Sequence, residues 1–386
     1  MSQIEVKKVT VLTILIYLFF SILSQVQASE FMQIQSENIG INTYMQEIQQ
    51  YIDSEYDINI HNVFNNLITG EKTNIGNTVL NKVLTILGSE VKENIAIIIK
   101  IICIAIISSI LNNLANNYGN SEVTQIGVFI SYISIIVIVM SSFNNILGII
   151  STSITTLNSF IYSLVPILFS LVLATGSITT STIFQPIILF LITAIDVLLT
   201  KIIIPVTLVY TVINIVSDIG EKVQLSKLAG IIKSTTVWAL GLSLTLLIGV
   251  MSLEGSLSSS IDGVTGKTAK AAVTNFIPVV GKVLGDSVET VLGSINILKN
   301  GIGVVGVIVI VSICLAPIIK IAIIMGMYYL LSAIIEPICD NKIVKCINHV
   351  GDSMKMLLAI VTSISVMYIV AITLVVKISN LTLTFR

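Results

Sequence analysis

The first candidates for chemistry are ionisable residues set in long oily stretches. Asp196 and Lys201 lie in the apolar run 186–216, and Lys320 lies in a second run, 301–335. Such groups are costly at membrane depth and face protein or water. That leaves a proton or ion pathway, a structural charge inside a bundle, or an interfacial position. Five residues apart, Asp196 and Lys201 stand about 140° from each other on a continuous helix, so each needs another partner or a helix end. Farther on, Lys282, Asp286 and Glu289 follow at i, i+4 and i+7, opposite Val279, Val280, Val283 and Leu284. That pattern predicts an amphipathic helix lying on the membrane surface or covering a cavity.

Other reactive residue types lead to no site. Cys103 and Cys314 sit in apolar runs and read as small apolar residues. Cys339, Cys346 and His349 share one amphipathic segment, but a zinc site needs a fourth ligand and a closer cysteine pair. The stretch GVTGKT resembles a phosphate loop only in part, because Ile261 stands where that loop needs glycine and no strand precedes it. No Ser/His/Asp set or paired carboxylates occur, so the sequence points to no enzyme, no cofactor and no metal.

The elements that must position these residues are membrane helices. The chain is 54% hydrophobic and 11% charged, and several windows of 17 or more residues carry at most one charge. Every basic residue except Arg386 is lysine, and the net charge is −1, which gives nucleic acid no electrostatic footing. The lipid bilayer is the expected surrounding. The fold class is an all-α polytopic membrane protein, a multi-helix bundle with proline-broken hairpins and amphipathic interfacial helices.

Residues 1–28 read as a signal peptide, with Lys7 and Lys8, an apolar Val9–Leu23 and a small-residue site ending at Ala28; an uncleaved anchor is the alternative. Residues 29–94 carry nine acidic residues and form an exported helical segment, a cap or a docking surface. The N-terminal membrane helices occupy 95–176, with spans expected at 95–111, 123–143 and 154–175. A unit over 177–255 and a second over 256–386 follow. In each, an apolar run too long for one crossing surrounds a proline, Pro205 or Pro317, and predicts a helical hairpin there. Pro166 and Pro205 are 39 residues apart, as are Pro278 and Pro317, at an offset of 112. Segments 217–234 and 336–353 are alike at an offset of 119. Both offsets suggest an internal duplication of the kind found in transporters.

The block NFIPVVGKVLGDSVETVLGS (275–294), the preceding GKTAKAA, the following KNGIGVVG and the Pro317 region resemble the stage III sporulation protein AE family. The general layout of signal, exported polar segment and hydrophobic domain is similar too. Asn275, Pro278, Gly281 and Asp286 match the family motif, without an assigned role. The resemblance implies a multi-pass protein of the mother-cell membrane around the forespore. It also implies partners among the other stage III A operon proteins and in the forespore membrane, with self-association open. The implied function is a subunit of a channel-like transenvelope complex supporting endospore development and late forespore gene expression. The rival reading from the residues is a stand-alone secondary transporter with inverted repeats.

Overall fold

The computed structural model describes residues 46, 48–49, 59–69, 75–118, 121–219, 225–276 and 280–384. The signal peptide, much of the exported segment and Pro278 lie outside them. The described residues are helical, with no strand. The helices are α1 (Ile60–Thr69), α2 (Ile75–Tyr118), α3 (Ser121–Ala174), α4 (Ile178–Val197), α5 (Ile204–Ile219), α6 (Ser226–Phe276), α7 (Val280–Ile335) and α8 (Asn341–Thr384). A π-helical turn, Leu198–Ile203, joins α4 to α5 without a break. Among the described residues, six stretches are long and apolar enough to cross a membrane: in α2, in α3, across α4–α5, in α6, in α7 and in α8.

The expected hairpins at Pro205 and Pro317 do not form. Pro317 lies inside the continuous α7, as Pro166 lies inside α3. The separate spans expected at 123–143 and 154–175 are therefore one helix. In an apolar medium, each backbone group released by a bend has no water to turn to, so a helix that runs on past one missing N–H costs less than a reversal. At Pro205 the device is the π turn. The Ile204 N–H donates to Leu199 O, five residues back, and Pro205 then occupies the second position of α5, where a proline is tolerated. The amphipathic segments are likewise not separate surface helices. Those at 217–234 and 336–353 lead into α6 and α8, and the stripe of Lys282, Asp286 and Glu289 lies in the first turns of α7. The glycine- and serine-rich interruption after residue 255 is helical and belongs to α6.

Paired contacts give the packing directions. Ser181 meets Phe169, Asn158 meets Asp196, and the Leu111 side chain lies against Gly127, so α2, α3 and α4 alternate in direction. The approaches of Gly303 to Val376, Gly306 to Ile372 and Gly351 to Tyr329 set α7 and α8 antiparallel. Their reversal comes at residues 336–340, which include Pro337 and not Pro317. Pro205 follows a π turn, whereas Pro317 sits in regular helix. The duplication is not confirmed.

One core runs through the bundle from α1 to α8. Its centre is α7: 78% of its most apolar window is buried, against 17% for α2. At the α3–α4 turn Gly176 has φ 86°, a conformation that favours glycine. Close approach explains another glycine. A β-carbon on Gly306 would fall 2.6 Å from Leu164 Cδ2 and 3.3 Å from Ile372 Cδ1, where α3, α7 and α8 meet.

Gly306→Val is expected to destabilise the bundle by roughly 1–3 kcal/mol through overpacking. Gly326→Ala, with nothing within 4 Å of the added carbon, should leave it unchanged. Thermal unfolding in detergent compares them, and equal shifts would show that the Gly306 contact is not tight.

Candidate functional site

Asp196, in the last turn of α4, points into the bundle. Its Oδ1 accepts a hydrogen bond of 2.5 Å from Asn158 Nδ2 on α3. The other side of that amide, Oδ1, accepts from the Tyr368 hydroxyl on α8. One turn away, Tyr162 and Thr193 oxygens lie 3.0 Å apart, and Thr200 donates to the Asp196 carbonyl at 2.8 Å. Asn158 and Tyr368 are buried while Asp196 is half-buried. The arrangement fixes the amide: its N–H faces the carboxylate and its carbonyl faces the phenol. Three helices are joined by two hydrogen bonds in a medium that offers no competing water. Lys201 is not brought to this cluster. It lies exposed in the π turn, with no ion pair among the described residues, and Pro205 is exposed just beyond it.

Lys320, one turn past the buried Pro317, reaches α2. Its Nζ is 2.9 Å from Glu90 Oε1, with 8% of the Glu90 side chain exposed and 31% of Lys320's. Asn94, one turn on from Glu90, donates to the Glu90 carbonyl at 2.9 Å and lies 3.4 Å from Oε2. Glu90 therefore belongs to a helix–helix contact, on a helix that begins at Ile75 and runs through residue 94. The sequence reading had placed it among the acids of the exported segment. Asn158 and Tyr368 had not been singled out either, because neutral residues in apolar helices carry no signal until the helices are paired. The fully buried Lys299 on α7 was missed as well.

The outer face of α3 differs from the lipid-like faces around it. Near its start it exposes Ile126, Phe129, Ile130, Ile133 and Val137. From Ser141 to Ser159 its exposed residues are instead Ser141, Asn144, Asn145, Gly148, Thr152 and Thr155, with Ser151 and Ser159. Thr155 bonds back to the Ser151 carbonyl at 2.9 Å, but Asn144 and Asn145 make no hydrogen bond among the described residues. Two amides on an exposed face inside a 49-residue apolar stretch need water or another protein surface.

The motif residues flank the α6–α7 junction. Asn275 is in the last turn of α6, and Gly281, Lys282, Asp286 and Glu289 are in the first turns of α7, with Pro278 outside the described residues. Cys339, in the α7–α8 turn, donates to the Ala105 carbonyl at 3.4 Å. Burial, and then Asp340 beside it, raise its thiol above the ordinary range, so it stays protonated and is a poor nucleophile.

The sequence profile of the family described as stage III sporulation protein AE matches residues 58–379. The stage III sporulation protein AE of Bacillus subtilis (strain 168) is 29% identical over 319 residues, which cover 83% of this chain and 80% of that protein. No solved structure matches.

The Glu90–Lys320 pair yields a prediction about the bundle. Glu90→Leu or Lys320→Met alone should cost roughly 2–4 kcal/mol, below the fully buried limit because Lys320 keeps some exposure. The double variant should lose less than either single one. Thermal unfolding in detergent reads all three, and additive losses would mean the two charges do not depend on each other.

Proposed function

Because the chain belongs to the stage III sporulation protein AE family, we propose that it is an integral membrane subunit of the mother-cell to forespore transenvelope complex. In this reading it supports endospore development and late forespore gene expression from the mother-cell membrane, with residues 29–94 on the exported side. The family is named for a stage of sporulation and not for a reaction, and a non-enzymatic role fits that name.

The observation that carries the proposal is the amide and hydroxyl face of α3. A protein working alone in lipid would gain from apolar side chains there, as its other exposed helix faces have. A subunit of a larger assembly can turn that face to a neighbour or to a water-filled passage. The packing of α1 supports the same reading. Phe64 lies against Gly301, where an added β-carbon would be 3.2 Å from its ring, so part of the exported segment is seated on the central helix. A partner holding that segment would also hold α7. Other stage III A proteins and a forespore-membrane protein are the partners proposed. The rival permease built of inverted repeats draws no support from the fold.

A photo-crosslinking residue in place of Asn144 or Asn145, in sporulating cells, should give adducts with other proteins of the operon or with a second copy of the chain. The same residue in place of Phe190, on an apolar face, should give mainly lipid adducts. Lipid alone at all three positions would overturn the assembly reading of α3.

A further inference from the structure

Between α2, α3 and α7 lies a small, partly open crevice. Its walls are mostly isoleucine and Met327, but three polar groups converge on it: Asn94 from α2, Ser142 from α3 and Tyr328 from α7. Tyr328 is 3% exposed, and its hydroxyl oxygen has no hydrogen-bond partner among the described residues. Ser142, also buried, lines the same crevice. The Asn94 amide uses its N–H group on Glu90, which leaves its carbonyl oxygen as an acceptor with no partner among the described residues. The crevice therefore gathers one hydroxyl able to donate, one able to donate or accept, and one carbonyl able only to accept.

We propose that this crevice is a binding site for an ordered water molecule that ties α2, α3 and α7 together. The water accepts from the Tyr328 hydroxyl and donates to the Asn94 carbonyl and to Ser142 Oγ. Buried waters make two to four such bonds to groups otherwise unsatisfied, and the three polar groups line one crevice. A cation is a poorer occupant. The nearby carboxylate, Glu90, is already engaged by Lys320 and Asn94, and the crevice itself offers only neutral oxygens. With the water in place, Lys320, Glu90, Asn94, water and Tyr328 form one polar track that starts and ends on α7 and passes through α2, with Ser142 joining it to α3. The inference goes beyond the proposed assembly and needs no partner protein.

The test is X-ray radiolytic footprinting of the full-length protein in detergent, in which radicals formed from a bound water oxidise the side chains touching it. Tyr328 and Met327 should be oxidised at least five-fold faster than Tyr368, Met354 and Met367, which are buried but line no part of the crevice. The labelling should persist when a bulk radical scavenger is added. Ser142→Leu, which fills the crevice, should bring Tyr328 down to the rate of the controls. Rates in the wild-type protein equal to those of the controls would overturn the proposal. So would labelling that the scavenger abolishes, since bulk solvent would then be the source. Fast labelling that survives Ser142→Leu would overturn it as well. The wild-type comparison stands by itself if the leucine variant does not fold.

Discussion

The structure depends on one constraint: inside lipid, every peptide N–H and C=O must find its partner within the protein. A helix satisfies that demand residue by residue, and any interruption forfeits it. The chain therefore continues α3 through Pro166 and α7 through Pro317, and it passes Pro205 by widening one turn into π geometry. The result is helices much longer than a membrane is thick. α3 has 54 residues, or about 81 Å, against a hydrocarbon core of about 30 Å. Parts of such helices extend beyond the hydrocarbon.

The same scarcity of water governs the side chains. Asp196 is held by an amide that is itself held by a phenol, and Glu90 by an ammonium and a neighbouring amide. Each polar group joins a different pair of helices: α3 with α4, α3 with α8, α2 with α7. Apolar packing between helices in lipid gains little from exclusion of water, because lipid tails are as apolar as leucine. The hydrogen-bonded groups thus add selectivity of pairing to a core that close packing around α7 holds together.

Much of this was legible in the sequence. The run lengths and scarce charges gave an all-helical membrane protein, and the block around residues 275–294 gave the family. Asp196 and Lys320 stood out because a charge in an oily run has no neutral explanation. Their partners did not, since Asn158 is 38 residues from Asp196 and Tyr368 is 210 from Asn158. Only helix pairing brings such ordinary residues into reach. Glu90 was obscured for another reason: it precedes the most apolar part of α2 by a few residues, so its acidity looked like the end of a soluble segment. The prolines misled because their strength as breakers is learned from helices in water, where the released carbonyls can be hydrated. In lipid, or inside α7's packed surroundings, that outlet is missing.

The place of α7 in the chain bears on biosynthesis. The helix around which the others pack follows α2 to α6 in the chain, so those must enter the membrane before their common centre exists. Faces that end against α7, such as the Gly306-facing side of α3 at Leu164, wait for it among lipid tails or against the insertion machinery. A nascent chain cut off before residue 280 would hold most of the crossings and none of the hub, a species for cellular quality control to recognise and remove.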